Sequence, residues 1–242
     1  MDELLLEVQG LNAWYGAAHI LFGLDLQVRR GEVVALMGRN GAGKSTTLKT
    51  LMGLVARRSG SVRFMGREIA RAAPHERARL GLGYVPEERR IFTDLTVLEN
   101  LQVGRQPPRK WPGGGAAPSW SVDALLVLFP NLAEMLQRRA DRMSGGEQQM
   151  LTVARTLMGN PCLVLLDEPS EGVAPAIVEQ MAQMILALKR QGVSIVLSEQ
   201  NLPFAAWVAD RAYVLEKGQI CYAASMGELV GNDAVRQQYL GV

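Results

Sequence analysis

One stretch limits what this chain can fold into more than any other: Gly38-Arg39-Asn40-Gly41-Ala42-Gly43-Lys44-Ser45-Thr46. It fits the pattern Gly-x-x-x-x-Gly-Lys-[Ser/Thr], in which each residue type has a physical role. Glycines let the backbone curl with several N–H groups turned inward, because no Cβ opposes positive φ or a close approach. The stretch from Gly38 to Thr46 therefore reads as a polyphosphate cradle, with Lys44 as the cation for the outer phosphates and the Ser45 hydroxyl as a ligand for Mg²⁺. The flanks agree. Val33 to Met37 is an unbroken apolar run, as in a strand buried on both faces. Leu48, Leu51 and Met52 recur at helical spacing, so a helix begins near Lys44 with its N-terminus toward the phosphates.

Composition narrows the function classes. The chain has 242 residues, enough for one large α/β domain or a domain with an inserted lobe. Its net charge of +2 gives no case for a nucleic-acid-binding surface. Cys162 and Cys221 are too few for a disulfide framework and suit a reducing compartment. His19 and His75 have no partners at metal-ligand spacing. Acidic residues in Met1-Asp2-Glu3 stand where a signal peptide carries basic ones. No stretch approaches the length of apolar sequence that spans a bilayer, so any membrane role is expected to come through a partner.

Along the chain, strands are expected over Leu4–Leu11 and Leu21–Val28, with an aromatic turn at Ala13-Trp14-Tyr15-Gly16 between them. Tyr15 is either an ordinary packing aromatic or a stacking platform for adenine, and the local pattern leaves both open. A strand, a turn and a second strand are expected over 60–69, helices over 71–80, 122–129 and 132–139, and a helix opening in 93–101. Pro and Gly dominate Arg105 to Trp120, which reads as a loop or flexible excursion with Trp111 and Trp120 as packing anchors.

Two later stretches carry chemistry. Ser144-Gly145-Gly146-Glu147 has capping-box spacing, so a helix starts there with free N–H groups and glycines that let a ligand approach. Cys162 to Leu166 is an apolar strand that delivers Asp167 and Glu168 at its C-terminal edge, where ligands of parallel α/β sheets bind. Asp167 is placed to hold Mg²⁺ directly or through water, and Glu168 to orient an attacking water or take its proton.

Together, Gly38–Thr46, Ser144-Gly145-Gly146-Glu147-Gln148 and the strand ending Asp167-Glu168-Pro169 resemble the ATPase subunit of an ATP-binding-cassette (ABC) transporter over essentially the whole chain. The finer resemblance is to the second ATPase subunit of importers for branched-chain amino acids, urea, amides and related acids. It rests on Tyr84-Val85-Pro86-Glu87, Gly172-Val173-Ala174-Pro175, Glu199-Gln200-Asn201 and Tyr239-Leu240-Gly241.

The resemblance implies an α/β P-loop NTPase core with a RecA-like parallel sheet, a small antiparallel β lobe and an inserted helical lobe. On that pattern one domain fills 1–242, with the core and β lobe in 1–85 and 152–225, the helical lobe in 86–151 and a helical tail in 226–242. It further implies ATP and Mg²⁺ as cofactors and a dimer, with a companion cassette or a second copy. In that dimer the phosphate loop of one subunit faces Ser144-Gly145-Gly146 of the other. Transmembrane permease subunits would recruit the chain to the cytoplasmic face of the membrane and, through them, a substrate-binding protein would supply cargo.

Three positions depart from the general family pattern. Glu87 stands where a Gln usually bridges Mg²⁺, water and the membrane subunits. Gln200 stands where a His usually contacts the γ-phosphate, and Ala174 where an Asp usually reaches across the dimer. Gln200 can donate an amide N–H but carries no charge. The departures motivate an alternative in which the chain is a nucleotide-binding scaffold and its partner performs the hydrolysis. A third class, a cassette protein acting on ribosomes or DNA, usually carries two cassettes or long coiled-coil insertions, and neither occurs here.

Overall fold

The computed structural model describes residues 3–241. Met1 and Asp2, part of the N-terminal reading, and Val242, the end of the expected tail, lie outside the described residues.

A six-stranded sheet forms the frame, in the order β10-β9-β3-β8-β7-β6. Its strands are β3 (Val33–Met37), β6 (Leu82–Val85), β7 (Leu163–Asp167), β8 (Ser194–Glu199), β9 (Arg211–Glu216) and β10 (Gln219–Ser225). The β9-β3-β8-β7-β6 ladder is parallel, and β10 returns antiparallel along its edge. Burial on both faces explains the unbroken apolar runs of β3 and β7, since alternate residues serve two different cores. Val33, Ala35, Met37, Val164 and Leu166 pack into one, and Val34, Leu36, Leu163 and Leu165 into the other.

The second of these cores is closed by α1 (Lys44–Leu51) and by a four-stranded antiparallel sheet, β2-β1-β4-β5. Those strands are β1 (Leu4–Tyr15), β2 (Ala18–Arg29), β4 (Arg57–Phe64) and β5 (Arg67–Glu68). The expected β lobe is therefore present, but β1 and β2 run further than expected. Tyr15 pairs with Ala18 across a two-residue turn led by Gly16 at φ 59°, so Trp14 and Tyr15 belong to the strand.

On the other face lie α6 (Gly145–Leu157), α7 (Pro175–Arg190), α8 (Leu202–Val208), α9 (Met226–Val230) and the helical lobe. That lobe contains α3 (Val97–Val103), α4 (Val122–Leu128) and α5 (Pro130–Ala133), while α2 (Pro74–Leu80) precedes β6. The helix expected over 132–139 does not form beyond Ala133. The backbone there pairs instead with the start of α3, through Val97 N–H to Arg138 O (3.0 Å), Leu98 N–H to Leu136 O (3.0 Å) and Ala140 N–H to Leu95 O (3.0 Å). These long-range hydrogen bonds outweigh the modest helical preference of a short segment.

The excursion Arg105–Trp120 is a loop, with one small hairpin closed by Trp111 N–H to Gly115 O (3.1 Å) and Gly114 N–H to Trp111 O (2.9 Å). Both tryptophans are buried anchors as expected, Trp111 in the β-lobe core and Trp120 in the helical-lobe core. The Arg30 guanidinium lies 3.7 Å above the Trp111 ring. Arg109 ties the same loop down by donating to the carbonyls of Asn160 (3.0 Å), Ala78 (3.0 Å) and Gly159 (3.1 Å).

Both cysteines are free thiols, Cys162 buried and Cys221 exposed. Among the described residues no helix is long and apolar enough to cross a membrane.

Candidate functional site

The cradle forms because β3 ends against a turn that only glycine permits. A Cβ on Gly38 would lie 2.5 Å from the Leu215 carbonyl oxygen and 3.1 Å from Ala42 Cβ, so the chain leaves the sheet where no side chain fits. Gly41 (φ 79°) and Gly43 (φ 108°) hold left-handed conformations that curl the loop back to α1. Lys44, Ser45 and Thr46 occupy the first helical turn, where N–H groups have no intrahelical acceptor and point at the loop's hollow. A Gly38→Ala variant should lose roughly 5- to 150-fold in affinity for a fluorescent ATP analogue in equilibrium titration. The expectation follows from strain of about 1–3 kcal/mol at about 1.4 kcal/mol per decade.

The hollow is a cavity of about 490 Å³ lined by Tyr15, Ile20, Asn40, Gly41, Gly43, Lys44, Ser45, Thr46, Glu87, Glu168 and Glu171. Tyr15 is 49% exposed on its rim. Lys44 is almost fully enclosed, and its Nζ donates to Gly38 O (2.9 Å) and Arg39 O (3.2 Å) and pairs with Glu168 Oε1 at 3.0 Å.

Glu168 occupies the left-handed region at φ 45°, a strained conformation for a side chain with a Cβ. Its N–H donates to Ser198 Oγ (3.0 Å) and Ser198 O (3.2 Å), which fixes the turn at the end of β7. Burial pushes the Glu168 carboxyl up, but hydrogen bonds from Glu171, Lys44 and Gln200 and the lysine's charge outweigh it and hold the group below its ordinary value. Glu171 moves the other way, to about 7, because it shares a hydrogen bond with Glu168, is partly desolvated and faces the charges of Glu168 and Glu87.

Asp167 is buried at the same strand end. Its Oδ1 accepts from Ser198 Oγ (2.7 Å) and its Oδ2 from Tyr84 OH (3.1 Å). Burial first, and then the neighbouring Asp167 charge and hydrogen bond, push the Tyr84 hydroxyl up, so it stays a proton donor to that carboxylate. Gln200 Nε2 donates to Asn40 Oδ1 (2.6 Å) and to Glu168 Oε2 (3.4 Å), joining the phosphate loop to the Glu168 carboxylate. The buried Glu199 gathers the N–H groups of Ser170 (3.0 Å), Gln200 (3.2 Å) and Asn201 (3.2 Å), and burial raises its carboxyl.

These residues fit a magnesium nucleotide. The glycine cradle that a Cβ would fill, an enclosed lysine, the Ser45 hydroxyl and carboxylates on one side provide for phosphates and for a hard cation that keeps several waters. Among the described residues no three His, Cys, Asp or Glu side chains cluster as a self-sufficient metal cage. Ser45, Asp167 and Glu87 would complete the Mg²⁺ shell together with phosphate oxygens and water.

Most of the residues expected from sequence are thus together: Tyr15, Asn40, Gly41, Gly43 to Thr46, Glu87 and Glu168 line one cavity, Asp167 and Gln200 are joined to it by hydrogen bonds, and Gly38, Arg39 and Ala42 form the adjoining loop. Ser144, Gly145, Gly146 and Glu147 are not among its lining residues and stand instead at the start of α6. Ser144 caps that helix, with its Oγ accepting from Glu147 N–H at 3.3 Å, while Glu147 Oε2 accepts from Ser144 N–H at 2.7 Å. Gly146 is needed within the chain itself, since a Cβ there would lie 2.8 Å from Ile177 of α7. Sequence reading missed Ser198, Glu199 and Glu171. Glu199 had entered only as part of the Glu199-Gln200-Asn201 resemblance, and Glu171 had a signal of its own, an acid four residues beyond Asp167.

Comparison with known proteins agrees with this geometry. The ABC transporter family model matches residues 21–171. The high-affinity branched-chain amino acid transport ATP-binding protein BraG of Pseudomonas aeruginosa is 44% identical, over 98% of this chain and 100% of its own length. The probable branched-chain amino acid transport ATP-binding protein LivF of Archaeoglobus fulgidus is 35% identical over 98% and 99%. The lipopolysaccharide export system ATP-binding protein LptB of Acidithiobacillus ferridurans is 33% identical over 100% and 98%. Among solved structures, the ADP conformation of MJ1267, an ATP-binding cassette of an ABC transporter, superposes with a TM-score of 0.80 at 26% identity, covering 97% of each chain. Nothing in these likenesses favours a degenerate scaffold over a working ATPase. A family model over most of the sequence and relatives alike from end to end show that the chain belongs to the ABC transporter family, as an ATP-binding, ATP-hydrolysing cassette.

Proposed function

We propose that this cassette energises an importer of branched-chain amino acids or related small amides and acids. The observation that supports the cargo class is its end-to-end likeness to BraG and LivF. The similar likeness to LptB means that cassettes of this shape serve other cargo too, which the permease and binding protein select.

In this reading Lys44 and the first-turn N–H groups of α1 hold the outer phosphates, Tyr15 stacks on adenine, and Ser45, Asp167 and Glu87 hold Mg²⁺. Held there, Mg²⁺ would supply positive charge to the phosphate oxygens. Glu168 orients the attacking water and takes its proton, and Gln200 donates its amide to the phosphoryl group while Asn40 steadies it. Ser144, Gly145, Gly146 and Glu147 face the phosphates of the nucleotide on the opposite cassette. ATP closes the dimer and hydrolysis opens it, the kind of rigid-domain switch that moves attached membrane subunits. Without an imidazolium at position 200, the site built on this chain's Lys44 turns over more slowly than one carrying His.

Reconstitution with its permease and binding protein in vesicles tests the cargo. Uptake of radiolabelled leucine, isoleucine or valine dependent on enclosed ATP is expected. ATP-dependent movement of a different solute, with none of these acids, amides or urea transported, would overturn the cargo class and leave the ATPase standing.

In the helical lobe, Val97 is fully buried and Leu95 half-buried, so neither presents a face to the membrane subunits. The surface that fits better is a groove of about 570 Å³ between the core and helical lobe. Leu54, Phe92 and Val103 are exposed there, and Arg79, Arg90 and Arg155 line its rim. An amphipathic segment with an acidic end would match it. Leu54→Asp and Phe92→Asp should each abolish co-purification with the permease subunits while leaving ATP binding to the isolated chain unchanged; co-purification at the original yield would rule the groove out.

A further inference from the structure

We propose that Arg89 acts across the dimer: its guanidinium, lying on Gly145, is delivered to the phosphates of the nucleotide held by the facing cassette. The inference rests on the sandwich arrangement described under the proposed function and supplies a cation to a site where Gln200 provides none.

The placement of the side chain is the first support. A Cβ at Gly145 would collide with the guanidinium, lying 3.1 Å from Arg89 Cζ and 3.4 Å from Nη2. The charge is also uncommitted: among the described residues no carboxylate pairs with it, whereas Glu88 engages both Lys49 and Arg90. Finally, the backbone of Arg89 travels with α6. Its carbonyl accepts from Thr152 Oγ1 of that helix, and its N–H donates to Pro86 O (3.3 Å). Arg89 does not line this chain's own cavity, although Glu87, two residues upstream, does.

A side chain fastened to the stretch Ser144-Gly145-Gly146-Glu147, the family's signature element, arrives wherever that stretch arrives. On closure it meets a triphosphate whose negative charge spreads over the transferring group. A guanidinium is always protonated and presents a planar fork that matches phosphate oxygens, which a lysine ammonium does not. In other phosphoryl-transfer enzymes an arginine supplied in trans accelerates turnover by about 10³–10⁵. Because Arg89 follows directly on the Glu87 loop, it also links occupancy of this chain's site to the posture of the signature stretch.

The test uses the full chain carrying Glu168→Gln, alone and with its companion cassette, with light scattering to follow dimer formation as ATP is raised. Adding Arg89→Ala should raise the half-maximal ATP concentration about tenfold or more, and Arg89→Lys should recover only part of it. Binding of a fluorescent ATP analogue to the monomer should be unchanged. In the chain with Glu168 intact, Arg89→Ala should lower kcat about 10²-fold. Arg89→Met keeps the packing over Gly145 without the charge, so the comparison survives if the alanine variant unfolds. An unshifted half-maximal concentration overturns the proposal, as does an equal loss of nucleotide binding by the monomer, which would place Arg89 in its own site. If the Glu168→Gln parent never dimerises with ATP, the sandwich reading falls first and Arg89's role with it.

Discussion

Replacing Glu168 by Gln is expected to slow steady-state phosphate release by about 10²–10³, the usual effect of removing one group that acts on the transition state. The amide keeps the shape of the side chain but cannot take a proton from water. The carboxylate it replaces is kept ionised, held low in pKa by Glu171, Lys44 and Gln200 against the opposing effect of burial, so it stands ready to accept a hydrogen bond from the attacking water. The same substitution removes the negative partner that holds Lys44 at 3.0 Å. ATP affinity should therefore rise while turnover falls, and equilibrium binding alongside phosphate release separates the two effects. An unchanged rate would mean that Glu168 does no chemistry, and the scaffold alternative would return.

Arg77→Ala should be the most damaging substitution for the fold. Arg77 is fully buried, and its guanidinium donates to Thr50 O (3.1 Å), Leu51 O (2.6 Å), Ala70 O (2.8 Å) and Ala72 O (3.1 Å). Two of these carbonyls end α1, where a helix has no acceptor partners of its own and favours a cation. Burial and the nearby Arg58 lower the Arg77 pKa only to about 10, so it remains charged at neutral pH. Truncation leaves these carbonyls unsatisfied in a dry site and should cost about 3–5 kcal/mol. For a chain of this size that corresponds to a fall of roughly 6–20 °C in melting temperature by calorimetry. A shift within experimental error would show that water replaces the guanidinium. Because α1 begins at the phosphate cradle, a smaller loss of nucleotide affinity should accompany the loss of stability.

The parts of the site that were legible in the sequence are those written in contiguous residues. The cradle lies between a buried strand and a helix start, and Asp167 and Glu168 close an apolar run, so spacing alone placed them at the edge of a parallel sheet. The rest is assembled by topology. Ser198 reaches Asp167 and Glu168 because β7 and β8 are neighbours with Asp167 opposite Ser198, a relation across 31 residues of chain that no local pattern encodes. Glu171 gains its perturbed titration from its hydrogen bond to Glu168, from partial burial and from the charges of Glu168 and Glu87, surroundings that only the folded chain brings together. The fold tells the same story. The alternation of β3 between two cores follows from its apolar run, whereas the unwinding after Ala133 depends on backbone partners near Leu95 and Val97 far upstream.

The loop Arg105–Trp120 spans both hydrophobic cores. Trp111 is seated in the β-lobe core under Arg30, and Trp120 in the core on the helical-lobe side of the six-stranded sheet, so one short tether carries a native fluorophore into each core. Its tip, Gly113 to Gly115, has no atoms near enough to oppose an added side chain. A dye on a Gly113→Cys variant stays clear of the hydrogen bonds that Gly114 and Gly115 make with Trp111, and under the proposed cycle it would give an optical readout of lobe movement that touches neither nucleotide nor membrane partner.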